Sequence, residues 1–166
     1  MAPTEIWLRL MKVNGLYGDG MVMAARILHA APVPDSEVLY VCGLSAAQAK
    51  QFLSVSQREL ESTLLWLEQP GRHLLLADSP YYPPRLRAIA DYPGALFVCG
   101  DLAVLSSLQL AVVGSRSHSW YGARWGKQFS EDLAHLGITI TSGLAIGIDG
   151  VGRLRLTHCQ VRRLSS

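Results

Sequence analysis

Two glycine-marked turns, each directly after a short apolar run, constrain the fold of this chain most strongly. The turns occupy residues 112–116 and 141–149, after the apolar runs 108–113 and 138–141. Such runs are typical of β-strands, and one amphipathic segment lies between them. This order predicts two parallel strands joined by a crossover helix, so that both turns open at the same edge of the sheet. In α/β folds that edge is where ligands bind.

The first turn carries groups that suit an anion. Gly114 lets the backbone turn sharply and approach a ligand, and Ser115 adds a hydroxyl donor. Arg116 offers a fixed positive charge and a forked set of donors that match phosphate oxygens. Ser119 can cap the following helix, whose first amides attract negative charge. We therefore predict an anion site at Gly114, Ser115, Arg116 and Ser119.

The second turn adds donors to the same site. Ser142, Gly143 and Gly147 can supply backbone amides and one hydroxyl, whereas Asp149 is better suited to cap a following helix. Each assignment has a structural alternative. Gly143 and Gly147 could simply be turn residues, and Arg116 could pair with a nearby carboxylate. Taken together, the two turns favour the anion site. The anion that we predict is the backbone of single-stranded nucleic acid.

The segment between the turns is predicted to form a helix from Ser119 to about residue 136, with Gly137 as its stop. Its two glycines would let it lie close on a sheet, on a face formed by Gly122, Gly126, Phe129 and Leu133. Trp120 and Tyr121 at its start could stack on nucleic-acid bases. Aromatic residues at a helix start are more often part of a core, and the sequence leaves both alternatives open.

The first 69 residues are predicted to form a small domain of about four or five short helices, with caps at Thr4, Ser45 and Ser56. A turn at residues 15–18 resembles a helix-hairpin-helix turn that could hold a phosphate. Ordinary helix packing is favoured there, because the spacing is off by one and basic residues are lacking.

The rest of the chain changes character after a turn at residues 69–71, with strands predicted at 73–77 and 95–98. The fold class predicted is α/β: a helical start followed by the first part of an extended Rossmann-like parallel sheet. The domains expected are a helical domain of SAM or helix-hairpin-helix type at 1–69, a partial DNA-binding domain at 70–150 and a divergent tail at 151–166.

The net charge of +2 does not by itself indicate nucleic-acid binding. Of the 15 basic residues, four lie in the acid-free tail, which leaves 11 basic against 13 acidic residues in the first 150. Binding of a polyanion must therefore rest on a local site. The three cysteines are far apart and lack metal-ligand spacing, and no membrane span or secretion signal is evident. We expect a cytoplasmic protein with no metal and no cofactor.

No catalytic constellation is evident in the sequence. The dinucleotide-binding glycine pattern is missing after Val113, and residues 122–127 are one residue short of an ATP-binding loop. His118 lies beside serines but no orienting acid follows. We expect a binding module and not an enzyme. Two alternatives are a Rossmann-like nucleotide-binding hydrolase, with Asp149 as its nearest acid, and a non-functional remnant whose helical start folds alone.

Several segments, taken in order, resemble the DprA/Smf family of bacterial DNA-processing proteins. They are Tyr82-Pro83, the run YPGALFVCG at 92–100, AVVGSR at 111–116, SWYG at 119–122 and SGLAIGID at 142–149. The resemblance implies an extended Rossmann-like domain that binds single-stranded DNA and helps to load the RecA recombinase onto it in natural transformation and recombination. It also implies no established catalytic activity, and self-association of the full-length proteins. Gly114, Ser115, Arg116, Ser142 and Gly143 match the motifs of the family's DNA-binding pocket.

The chain departs from the family pattern after Asp149. Family members usually continue with an alanine-histidine pair on a helix, whereas residues 150–154 read GVGRL, and Ile146 stands where a basic residue is common. The tail from residue 152 shows no clear helical or strand period. We expect a C-terminal truncation, and hypothesise that the tail is an out-of-frame end. Because half of the anion site would lose its support, we expect weak or no DNA binding from this chain alone.

Overall fold

The structure, a computed structural model, describes residues 1–31, 33–114, 119–142 and 160–162. The chain divides into two units, one formed by Met1–Gly100 with Gln160–Ser166 and the other by Asp101–Cys159. Within the described ranges, every helix is too short or too polar to cross a membrane.

Short helices make up the start of the first unit, as predicted. The five are α1 (Pro3–Leu10), α2 (Gly18–Ala30), α3 (Ser36–Val41), α4 (Ala46–Ser54) and α5 (Gln57–Leu67). Ser45 caps α4 and exchanges reciprocal hydrogen bonds with Gln48, and Ser56 caps α5 by accepting from the amide of Glu59. These two caps confirm that the local sequence sets where α4 and α5 begin.

Two features of this bundle differ from the sequence prediction. Thr4 does not cap α1, because the helix already begins at Pro3 with Ala2 at the N-cap position, and proline suits the first turn of a helix. The six-residue helix α3 was missed because it follows closely after Pro34. Asp35 provides its cap by accepting from the amide of Val38 at 2.9 Å.

A three-stranded sheet continues the first unit. Strands β1 (Arg72–Leu76) and β2 (Ala95–Cys99) pair antiparallel, with Leu74 opposite Phe97. A short helix, α6 (Pro84–Arg87), lies between them in sequence. Strand β5 (Gln160–Arg162) pairs antiparallel with the other edge of β2. The tail thus contains a strand although its sequence shows no clear strand period, because three residues are too few to give one.

The core of the first unit joins the helices to the sheet. Leu74 and Leu76 of β1 pack against the main buried cluster, to which Ala95 of β2 belongs. Phe97 lies in a second cluster with Leu8 and Leu60. The most deeply buried large side chains of the helices are Ile6, Leu10, Leu28, Leu39 and Phe52. The predicted boundary between residues 69 and 70 stays a prediction.

In the second unit, strands β3 (Gln109–Ala111) and β4 (Thr139–Thr141) pair parallel, with Ala111 opposite Thr141. Helix α7 (Trp120–His135) connects them. This arrangement confirms the predicted order of strand, crossover helix and parallel strand, and with it the α/β fold class. A short 3₁₀ helix at Leu102–Ser106, which was not predicted, precedes β3.

Helix α7 has the predicted ends but not quite the predicted face. Ser119 caps it, and Gly137 follows it with a φ of 77°. Gly126 and Ser130 are its buried residues, and the Ser130 hydroxyl donates to the Gly126 carbonyl at 2.7 Å. Phe129 was placed on the packing face but is exposed, because Ser130 completes that face one turn after Gly126.

Tyr82 gives the first unit an alkaline limit of stability. Its side chain is buried, and its hydroxyl donates to the carbonyl of Pro93 at 2.6 Å. Burial, with a smaller effect of the neighbouring Tyr92, raises the pKa of Tyr82 to about 12. The folded pKa lies above that of the unfolded chain, so this stabilisation is complete below pH 10 and is lost as pH rises towards 12.

We expect the free energy of unfolding to fall by at most about 2.7 kcal/mol over that range through Tyr82 alone. Urea titrations at a series of alkaline pH values would measure the fall. The matched control is Tyr82→Phe, which keeps the ring packed and lacks the ionising group. This variant should be less stable at neutral pH by about 1 kcal/mol, because the hydrogen bond is lost. Its free energy of unfolding should also fall less steeply than that of the unaltered chain as pH rises. Parallel declines in the two proteins would contradict this assignment.

Candidate functional site

The candidate site is built at the edge where β3 and β4 end. The amide of Val112 donates to the carbonyl of Thr141 at 2.8 Å, which continues the parallel pairing just past β3. Ser142 follows this last rung directly, and Gly114 follows it after one more residue, Val113. The fold therefore brings the beginnings of both predicted turns to one edge of the sheet.

Polar side chains hold the two strands in register below this edge. The Thr141 hydroxyl donates to Gln109 Oε1 at 2.6 Å, and the hydroxyls of Ser107 and Thr139 lie 2.6 Å apart. Gln109 Nε2 also donates to the carbonyls of Val104 and Leu105, at 3.0 and 3.2 Å. Sequence analysis missed these contacts, although the alternation of Thr139 and Thr141 on one face of a strand was a signal for them.

Ser119 sets the start of α7 near this edge. Its side-chain oxygen accepts from the amide of Gly122 at 3.1 Å, which is the standard geometry of an N-cap. As the acceptor in this cap, the Ser119 hydroxyl keeps a hydrogen with which it could donate to a ligand. Because α7 leads from the end of β3 back to the start of β4, its amino-terminal end faces the edge where the strands finish.

The structure accounts for part of the predicted site. Gly114 and Ser119 are exposed and Ser142 is half-buried, so all three can be approached from solvent. Ser115, Arg116, Gly143 and Gly147 lie outside the described residues, and Asp149 does too. Their roles in the site stay predictions.

The start of α7 is rich in exposed aromatic side chains. Trp120 and Tyr121 are 75% and 72% exposed, so the alternative that they belong to the core is wrong. The Arg124 guanidinium lies over the Trp120 ring, 5.5 Å from its centroid. Trp125 stacks on Phe129 with ring centroids 4.9 Å apart and planes 12° apart. Sequence analysis missed Arg124 and Trp125, although their positions one turn after Trp120 and Tyr121 were a signal.

The turn that resembles a helix-hairpin-helix turn is engaged in packing. Gly18, which has a φ of 53°, donates its amide to the carbonyl of Tyr92 at 2.8 Å. The Tyr92 hydroxyl donates to Asp19 at 2.7 Å, and this bond together with burial raises the pKa of Tyr92. The Gly18 amide is thus hydrogen-bonded within the protein, which agrees with ordinary packing of this turn and not with phosphate binding. Across the described ranges, no cluster of His, Cys, Asp and Glu side chains could hold a metal ion.

Comparison with family models matches nearly the whole chain. Residues 1–65 match the SMF/DprA SAM domain, and residues 73–160 match DNA recombination-mediator protein A.

Curated relatives agree with these matches. The chain is 59% identical over 151 residues to Protein Smf of Escherichia coli (strain K12), which covers 91% of this chain and 40% of that protein. It is 31% identical over 109 residues to DNA processing protein DprA of Bacillus subtilis (strain 168), covering 65% of this chain and 37% of that one. The chain thus spans less than half the length of these two relatives.

A solved structure shares the fold. DNA processing protein A (DprA) from Streptococcus pneumoniae superposes with a TM-score of 0.63 at 24% identity, covering 92% of this chain and 53% of that chain. This likeness concerns the fold alone. It extends over both the helical start and the α/β part of the chain.

Proposed function

Because the chain belongs to the DprA/Smf family of DNA-processing proteins, we propose that it binds the backbone of single-stranded DNA at the carboxyl edge of β3 and β4. The observation that carries the proposal is the pairing of these strands in parallel, with Gly114 three residues after the end of β3 and Ser142 directly after β4. Neutral amides and hydroxyls at that edge suit a phosphate.

Electrostatics supports an anion at this edge. Residues 112–122 read VVGSRSHSWYG and residues 141–149 read TSGLAIGID, so Arg116 is the one cation among them and Asp149, at the last position, is the one acid. The amino-terminal end of α7 adds the partial positive charge of its unpaired amides. We propose that a phosphodiester at this edge meets these donors and the guanidinium of Arg116, while Asp149 caps a following helix.

The proposal extends to the role of the protein. We propose that it acts in the cytoplasm by binding, without catalysis, and that the bound strand is passed to the RecA recombinase in natural transformation and recombination. The hydrolase alternative depends on Asp149, which lies outside the described residues. Since the chain spans 40% of the Escherichia coli relative, we propose that its own affinity for DNA is low, and that self-association belongs to full-length members.

Arg116→Ala is the direct test. Fluorescence polarisation of a labelled oligothymidine should show about ten-fold weaker binding, because one charge-assisted contact to phosphate is lost. The slope of log K against log salt should become shallower by about 0.7, as expected for one fewer phosphate neutralised on a single strand.

Arg58→Ala is the matched control, since it removes the same charge from an exposed position on α5. It should change neither the affinity nor the salt slope appreciably. No measurable binding by the unaltered chain at low salt, or identical curves for the unaltered chain and Arg116→Ala, would refute the proposed site.

A further inference from the structure

We propose that the exposed face of α7 is a stacking platform for the bases of single-stranded DNA, next to the phosphate site. The platform consists of Trp120, Tyr121, Trp125 and Phe129, with Arg124 beside Trp120. The inference rests on the proposed function: the edge of β3 and β4 binds the backbone of a DNA strand, and the platform binds the bases of the same strand.

The aromatic side chains of the platform are turned away from the protein's own packing face. Trp120 is 75% exposed, Tyr121 72% and Trp125 57%. The opposite side of α7 is the packed one, with Gly126 and Ser130 buried. Exposed large aromatic side chains that cluster on one face mark an interaction surface.

The rings are arranged in a way that suits stacking. Tyr121, Trp125 and Phe129 follow one another at intervals of four residues, so they form one row along the helix. Trp125 and Phe129 stack on each other, with planes 12° apart, so the pair offers its outer ring faces to a base. Because a helix rises about 1.5 Å per residue, the platform from Trp120 to Phe129 is about 14 Å long, which corresponds to roughly four stacked nucleotides.

The charge of the platform favours a polyanion over a second copy of this chain, whose own platform would carry the same positive charge. Residues 119–129 contain Arg124 and Lys127 and no acidic residue. The acids of α7 come later, and they are engaged within the helix: Asp132 accepts from Gln128 at 2.9 Å, and Glu131 lies 3.9 Å from Lys127. Arg124 over the Trp120 ring leaves a guanidinium beside an open aromatic face, a combination suited to a base with its phosphate.

The platform also continues from the phosphate site without a break in the chain. Ser119, which belongs to the predicted anion site, caps the helix whose next residue is Trp120. A strand held by its phosphates at the edge of β3 and β4 can therefore lay successive bases along α7. Because every base has an aromatic face, this platform would bind with little sequence preference.

The test compares two probes on the full chain by fluorescence polarisation: an oligothymidine and an abasic deoxyribose-phosphate strand of equal length. We expect the unaltered chain to bind the oligothymidine about ten-fold tighter than the abasic strand, since stacking needs a base. The double variant Trp120→Ala, Trp125→Ala should lose this difference and keep its affinity for the abasic strand. The variant Trp120→Phe, Trp125→Phe should keep most of the difference in affinity between the two probes, because phenylalanine can still stack on a base. This result would show that the alanine variant loses stacking and not its fold.

Tyr40→Ala is the control, because Tyr40 is an equally exposed aromatic residue on α3. It should leave both affinities unchanged. Equal affinity of the unaltered chain for both probes would overturn the platform and leave the phosphate site standing. Binding to neither probe would overturn both proposals. If the alanine variants alter self-association in sedimentation and leave both affinities unchanged, the surface belongs to a second copy and the inference is wrong.

Discussion

Replacing Phe52 with alanine should lower the free energy of unfolding by about 3–5 kcal/mol, the loss typical of truncating a fully buried phenylalanine. Phe52 has no exposed surface and lies in the main cluster of the first unit, with Ile6 and Leu10 of α1 among its members. Arg9 of the same helix holds this region from outside, with its guanidinium 6.0 Å from the Phe52 ring centroid and Nη1 donating to the Phe52 carbonyl at 3.2 Å. The alanine side chain would leave a cavity in this cluster, and the surrounding helices could fill it only by giving up other packing contacts.

Urea unfolding followed by far-UV circular dichroism would measure this loss. Leu53→Ala is the matched control, because Leu53 is the next residue on α4 and is half exposed. It should cost less than about 1 kcal/mol, since it removes little buried area and alanine favours a helix. Domains of this kind are stable by about 5–15 kcal/mol, so Phe52→Ala should remove a large part of the total. Equal midpoints for the two variants would mean that Phe52 is not central to the packing.

The elements that could be predicted from the sequence are those specified by neighbouring residues. Ser45, Ser56 and Ser119 each precede an amphipathic stretch, and each caps a helix in the structure. The parallel pair β3 and β4 follows from two apolar runs separated by one helix, since such a connection leaves few other topologies. Local hydrogen bonding and chain connectivity are sufficient for these features.

The elements that could not be predicted depend on residues distant in sequence. The hydrophobic runs of β1 and β2 do not reveal that the strands pair antiparallel, or that Leu74 and Leu76 pack against helices near the start of the chain. Strand β5 exists through its pairing with β2, since its three residues carry too weak a pattern of their own. Phe129 illustrates the same limit within one helix, because spacing cannot tell which of two adjacent faces meets the sheet.

At the candidate site, sequence motifs predict which residues bind an anion, and the structure adds how some of these residues are supported. Gly114, Ser119 and Ser142 were predicted from turn chemistry alone, and the parallel pairing brings the two turns to one edge. The hydrogen bonds of Gln109 with Thr141 and with the 3₁₀ helix hold that edge, and the bond to Thr141 connects residues 32 positions apart in sequence. The predicted site residues can thus be named from local sequence, whereas the contacts that support them depend on the tertiary structure.

Replacing Gly94 with valine should destabilise the first unit by about 3 kcal/mol, because Gly94 is buried directly against helix α2 and overpacking of this kind is costly. A Cβ atom at this position would lie 2.5 Å from Met21 Sδ, 2.9 Å from its Cγ and 3.1 Å from its Cβ. The far end of a methionine can move aside, but Met21 Cβ is fixed by the helix, so part of the clash must be relieved by separating the strand from the helix. Gly94 also accepts from the amide of Ala77 at 2.8 Å, which restricts how far the strand can shift.

The double variant Gly94→Val, Met21→Ala tests this mechanism, because removing the methionine side chain makes room for the valine. Urea unfolding should show a favourable coupling energy of about 1–2 kcal/mol between the two substitutions. Gly20→Val is the matched control: the new Cβ would meet only Leu16 Cδ1 at 3.7 Å, and the position is exposed, so stability should change by less than about 0.5 kcal/mol. The same experiment bears on the domain boundary. If residues 1–69 folded independently of β2, Gly94→Val would leave the unfolding of the helices unchanged. If β2 and α2 stabilise each other by packing, the helices and the sheet should unfold in one transition.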